Sequence, residues 1–188
     1  MNNYWEERYK HGGNSGSGSY DKDAEFKSMM INEYISKYNI KTICDFGCGD
    51  GNQISFLLGF ELYHGYDISE FIIEKNIINF KNNNNMFFYK NIIDLPESDL
   101  CISLDVLYHI LDDVDFEDYL TNLFKKSKKY VLIYSTNRNN TSDDNAPHCY
   151  HRIFTDWIDE NCKNFRLIDD SKRLHSSVKF FLYERGEK

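Results

Sequence analysis

The chain has 188 residues, 41% of them apolar and 16% aromatic, with a formal net charge of −8 at pH 7. That length buries one full core without a second large domain, and the acidity argues against a sequence-independent grip on nucleic acid, which needs clustered Lys and Arg. With no apolar run of membrane-spanning length, no signal-peptide stretch and five unpaired cysteines (Cys44, Cys48, Cys101, Cys149, Cys162), the expectation is a soluble cytoplasmic protein with reduced thiols and no membrane partner.

In chain order, N-Y-W-E-E-R-Y-K at 3–10 places Trp5 and Tyr9 at i, i+4, so a short amphipathic helix can lay both rings on the domain. H-G-G-N-S-G-S-G-S-Y follows. By composition it is a flexible spacer; alternatively it is a lid whose backbone N–H groups and the hydroxyls of Ser15, Ser17 and Ser19 form an anion-accepting nest, with Arg8 and His11 beside it. Residues 1–20 therefore stand apart from a main domain at 21–188. A helix over 21–39, opened by Ser19 or Asp21, repeats Phe26, Met29, Met30, Tyr34, Ile35 and Tyr38 at helical spacing and reads as core.

The chain then reaches K-T-I-C-D-F-G-C-G-D-G-N-Q, residues 41–53. Lys41 to Phe46 has the content of a buried strand, and Gly47, Gly49 and Gly51 mark a tight backbone turn where a ligand can touch the main chain. Asp45 lies just ahead of the turn, under which its carboxylate can accept from backbone N–H groups or a cationic ligand. D-F-G-C-G-D-G resembles the motif I loop of class I S-adenosylmethionine-dependent methyltransferases. A dinucleotide loop would carry its third glycine one place later and favour a pyrophosphate, which Asp45 and Asp50 oppose; a ligand with a sulfonium and an ammonium suits them.

The resemblance implies a single doubly wound, mostly parallel seven-stranded α/β sheet with an antiparallel last strand and helices on both faces. It also implies S-adenosyl-L-methionine as cofactor, with Asp45, Gly47, Gly49 and Asn52 around its methionine portion. The opening W-x-x-R-Y is similar to the N-terminal portion that covers the cofactor in small bacterial members.

Residues 52–59 read as a helix carrying Ile54, Leu57 and Leu58 inward. A second strand ends at Asp67, about 20 residues after Gly47, where a Rossmann-like sheet places a carboxylate beside the ribose; Ile68 then covers the adenine or ribose edge. Ser69 caps the next helix. After the third strand the resemblance implies a polar contact to the adenine amino group, from Asn91 or Asp94. Leu100 to Leu104 is a buried central strand; Leu104 closes it at the cofactor edge, and Asp105 and His109 share one face if 105–109 is a helical turn.

A helix over 112–127 runs from acidic to basic and reads as a solvated face. The polar loop after the fifth strand is longer than about 12 residues and ends in His148, His151 and Arg152. H-x-x-H without a carboxylate at ligand spacing points to no metal. A histidine base and a guanidinium anchor for phosphate or carboxylate are the roles read instead. A last helix from Thr155 and an antiparallel pair of strands close the chain.

The resulting expectation is methyl transfer to a hydroxyl of an anionic small molecule, a sugar or phosphorylated metabolite. His109, His148 and His151 are the candidate bases beside Asp105, and Ser15, Ser17 and Arg152 are the candidate substrate contacts. The alternatives are N- or C-methylation of a protein or tRNA, a non-catalytic cofactor-binding scaffold, and a nicotinamide reductase.

Overall fold

The computed structural model describes residues 2–171 and 177–186. Seven strands form one sheet: β1 Thr42–Phe46, β2 Leu62–Tyr66, β3 Met86–Tyr89, β4 Ser98–Leu104, β5 Ser127–Ser135, β6 Phe165–Asp169 and β7 Lys179–Arg185, in the spatial order β3-β2-β1-β4-β5-β7-β6. β1 to β5 are mutually parallel, and β7 runs antiparallel to both β5 and β6. The order reverses between β1 and β4, which opens a crevice at their C-terminal ends.

Alternation along each strand feeds two cores. Ile43, Ile102, Leu132 and Leu182 face one layer with Met30, Ile31, Tyr34 and Ile35 of α2 (Asp21–Lys37) and Ile73 of α3 (Glu70–Asn79). Cys44, Cys101, Val131, Ile133 and Tyr183 face the other, against Phe116, Leu120, Leu123 and Phe124 of α4 (Asp113–Lys125) and Phe154 and Ile158 of α5 (Phe154–Asn161). A further helix, α1 (Asn2–Lys10), packs by α3: the Glu6 carboxylate accepts from Ser69 Oγ at 2.5 Å and from the Phe71 amide at 3.3 Å. No described helix is long and apolar enough to cross a membrane.

Three local expectations are corrected. The stretch at 52–59 is only a 3₁₀ turn, Gln53–Phe56, because Gly51 and Gly59 bracket it at positive φ and Leu57 leaves in extended conformation. Ile54 and Leu57 are buried as expected, but Leu58 is 69% exposed. In α2, Met29 is 57% exposed, and the helix opens after Tyr20 with no side-chain cap, neither Ser19 nor Asp21 supplying one. Asp105 does not start a helical turn: it sits at φ 59, and the 3₁₀ turn spans Leu107–His109.

α4 begins where Asp112 Oδ1 accepts from the Val114 and Asp115 amides at 2.9 and 3.1 Å, satisfying two of the donors that a helix start leaves open. Asp112→Ala should therefore cost roughly 0.5–2 kcal/mol in chemical denaturation; no change would show that the cap is replaced by water.

Candidate functional site

A cavity of about 320 Å³ opens at the sheet reversal. The glycine loop forms its floor. Gly47 and Cys48 donate their amides to the Tyr66 carbonyl at 2.7 and 2.9 Å, and Gly49 donates to Asp67 Oδ2 at 2.9 Å. A side chain at Gly47, which has φ 89, would lie 2.5 Å from Val106 Cγ2, and one at Gly49 would lie 2.2 Å from Ser15 Oγ. Only glycine fits under these neighbours.

Asp67 is the junction of the site. Its second oxygen, Oδ1, accepts from the Ser69 amide at 2.9 Å, and the side chain is nearly fully buried. Burial pushes its carboxyl up to about 6, against the opposing pull of those two amides. Of the two roles read for Asp45, acceptor for loop amides or for a cationic ligand, the first is not made. Asp45 takes no amide of the loop; Tyr63 donates its phenol to Oδ2 at 2.8 Å, and burial raises the carboxyl to about 7. Both acids line the cavity with Gly47, Gly49, Ile68 and Leu104, all expected there.

Asn52, Asn91 and Asp94 do not line the cavity. Asn52 donates to the Ser19 carbonyl at 2.6 Å, and the neighbouring Gln53 takes its place in the wall. Asn91 donates to Asp94 at 3.2 Å on the surface, and the 3₁₀ turn Ile92–Asp94 presents Ile92 instead.

At the other end, Asp105 and His109 line the cavity. His109 Nδ1 lies 2.9 Å from the His148 carbonyl, an acceptor, so Nδ1 carries the hydrogen and Nε2 of the neutral ring is the free base. Desolvation lowers the His109 pKa and favours that neutral form. Trp5 meets the ring edge-on at 5.0 Å, His148 stacks on it at 5.4 Å, and Tyr4 stacks in turn on His148 at 4.8 Å. His148 and His151 are not wall residues. His151 is engaged by Thr136 Oγ1 at 2.7 Å and by Asp144 at 3.5 Å.

The anion-binding expectations lose their anchors. Arg152 sends Nε and Nη2 to Asp113 Oδ1 at 2.9 and 2.7 Å, and donates to the Ile110 and Leu111 carbonyls at 2.6 and 2.8 Å. Its guanidinium lies 4.7 and 4.4 Å from the ring centroids of Phe116 and Tyr150. It clamps the β5–α5 loop to the start of α4 and does not reach the cavity. The serine segment is no open nest either: Ser15 donates its amide to Asp50 Oδ2, Gly16 to Asn14 Oδ1 and Ser19 to the Gly16 carbonyl. Ser15 lines the cavity through this tie to the glycine loop, Ser19 also lines it, and Ser17 does not.

Several wall residues escaped the sequence reading: Lys27, Tyr66, Tyr119, and the α4 face of Asp115, Asp118 and Asn122. Lys27 falls on the inward stripe Ala24, Ser28, Ile31 of α2, the one signal that could have placed it. Tyr119 donates to the Phe46 carbonyl at 2.8 Å and lies 2.7 Å from Ser103 Oγ, which fixes α4 over the ends of β1 and β4.

Two outcomes follow. Arg152→Ala should lower stability by roughly 1–3 kcal/mol in urea denaturation, because it releases four hydrogen bonds and leaves two carbonyls uncovered; an unchanged midpoint would contradict the clamp. Asp45, with a folded pKa raised above its ordinary value, stabilises the fold fully only below about pH 4 and loses that contribution as pH rises to about 7. Asp45→Asn should then gain in melting temperature relative to the wild type as pH rises from about 4 to about 8; a constant difference would show the carboxyl is not raised.

No protein-family model matches the chain, and no curated protein matches it by sequence. Solved structures do match in shape. The N-methyltransferase NodS from Bradyrhizobium japonicum WM9, in complex with S-adenosyl-L-homocysteine, superposes with a TM-score of 0.74 at 12% identity, covering 97% of this chain and 99% of that one. A S-adenosylmethionine-dependent methyltransferase from Clostridium acetobutylicum ATCC 824 gives 0.69 at 14% identity over 96% and 99%. Magnesium protoporphyrin IX methyltransferase from Synechocystis PCC 6803 with bound SAH gives 0.67 at 16% identity over 96% and 94%. The chain has the seven-stranded Rossmann-like fold of the class I methyltransferases.

Proposed function

We propose that the protein is an S-adenosylmethionine-dependent methyltransferase acting on a hydroxyl of a small molecule, with residues 21–188 as the catalytic domain and residues 1–20 as its cover. The observation that carries the reading is the cavity wall: two buried carboxylates, Asp45 and Asp67, at a glycine turn, and one neutral imidazole, His109, in the same cavity. The residues fit the cofactor. Buried acids raised by desolvation are what a cationic, hydroxyl-bearing ligand relieves, and the cavity volume is at the size of a small-molecule site.

Asp67 would accept from the ribose hydroxyls, and Ile68 and Ile92 would cover the base. Asp45, Gly47 and Gly49 would hold the amino-acid end. The bound cofactor supplies a methyl group on a sulfonium, which an acceptor oxygen takes as it loses its proton. His109 Nε2 would receive that proton, since Nδ1 is already committed to the His148 carbonyl. Trp5, Tyr9, Ser15 and Ser19 would exclude water from above.

The acceptor is taken as uncharged. Among the described residues, five carboxylates line the cavity, Asp45, Asp67, Asp105, Asp115 and Asp118, against one ammonium, that of Lys27, and no described arginine lines it. The same acids favour transfer to an amine as a second reading, and one similar structure is named an N-methyltransferase. The acidic rim supports a small molecule over a nucleic acid, and five free cysteines support a reducing, cytoplasmic setting.

Calorimetry should show S-adenosylhomocysteine binding to the wild type and at least roughly tenfold weaker binding to Asp67→Ala. His109→Asn should bind it as the wild type does while methyl incorporation into a pool of hydroxylated metabolites falls roughly 10²- to 10⁴-fold. Binding of a nicotinamide dinucleotide in its place would overturn the reading.

A further inference from the structure

An ion pair between a buried lysine and a partly buried aspartate stands at the end of β4. Lys27 Nζ lies 2.7 Å from Asp105 Oδ2, with the lysine side chain 1% exposed and the aspartate 17%. Tyr108 donates its phenol to Asp105 Oδ1 at 2.9 Å. Asp105 holds the left-handed conformation at φ 59 while its amide donates to the Tyr134 carbonyl. Lys27 and Asp105 both line the cavity, and so does Trp5.

Stability does not account for this pair. Removing the Lys27 charge from water costs several kcal/mol, and an apolar side chain of similar size would seat α2 on the sheet without that penalty. The ammonium has three N–H donors, and one is given to Asp105; the group also lies 5.4 Å from the Tyr134 ring centroid. A donor and an acceptor, side by side and facing a cavity, are therefore available to one ligand.

The chemistry of that ligand follows from its neighbours. A phosphate or carboxylate would satisfy Lys27 but lie against Asp105 and the other wall acids. An ammonium would satisfy Asp105 but be repelled by Lys27. Two adjacent hydroxyls suit both groups: one oxygen accepts from Lys27 Nζ while its neighbour donates to Asp105. Trp5 lines the same cavity, with the Arg8 guanidinium over its ring at 5.7 Å, and an indole is an apolar surface of the kind on which the C–H face of a saturated ring rests. We propose that Lys27 and Asp105 form a recognition site for a neutral acceptor with two adjacent hydroxyls, of the sugar or cyclic polyol class, laid against Trp5. This deepens the methyl-transfer reading and rests on it for the word acceptor, but the binding itself does not depend on turnover.

Saturation-transfer NMR tests it directly, with a panel of methyl glycosides of neutral hexoses, 6-deoxyhexoses and pentoses added to the full chain, with and without S-adenosylhomocysteine. At least one glycoside should bind, and its analogues lacking either adjacent hydroxyl should bind at least roughly tenfold more weakly. The double variant Lys27→Met, Asp105→Asn removes both charges at nearly constant volume; it should retain its circular dichroism spectrum and lose the glycoside signal. The proposal is overturned if no glycoside of the panel binds, if the deoxy analogues bind as well as the parent, or if the folded double variant binds like the wild type. Calorimetry with S-adenosylhomocysteine alone reports separately on the cofactor reading, so the two can fail independently.

Discussion

The carboxylate of Asp67 joins two parts of the protein that are separate in sequence, the glycine loop and the junction of β2 with α3. One oxygen holds the Gly49 amide of the first loop and the other holds the Ser69 amide that opens α3, so the end of β2 sets both edges of the cavity. The Asp67 carboxylate adds to the Gly47 and Cys48 amide bonds on the Tyr66 carbonyl in fixing a turn whose glycines have the most conformational entropy to lose. Ser69 then caps α3 through the Ile72 amide and donates to Glu6 of α1, which extends the same network to the N-terminal helix. Pinning the turn with an acid has a cost in desolvation, visible in the raised carboxyl. Offsetting that cost is a natural role for a ligand rich in donors.

Much of this was readable from local pattern. The β-branched run before Gly47, the acid closing β2 and the apolar run into Asp105 are each short signals tied to one strand end, and strand ends are where an α/β sheet gathers its ligands. The closing antiparallel pair was also visible, as two apolar runs late in the chain. The fold matches these expectations in strand number and direction.

What escaped depended on distant partners. Lys27 drew no attention in the sequence, because its counter-charge, Asp105, comes 78 positions later. Arg152 reads as an anion anchor until Asp113 and two carbonyls consume its donors. Asn91 and Asp94 satisfy each other, and a single 3₁₀ turn decides that the apolar Ile92 faces inward between them. The acidic face of α4 looked solvated because its charges fit the helix dipole; Asp115 and Asp118 do stay exposed, yet they also form the rim of the cavity. In each case residue type and spacing were compatible with two environments, and only the tertiary partner chose.

The β5–α5 loop carries a consequence of its own. It is braced internally by Arg138 on Asp144 and fastened at its far end by Arg152, and from that frame it offers a main-chain oxygen to His109. On the proposed roles, the base takes its tautomer from a peptide group of this loop, whereas the acceptor also meets side chains of α1 and α2. A substitution in the loop can then shift the proton without reshaping the wall that the two helices supply.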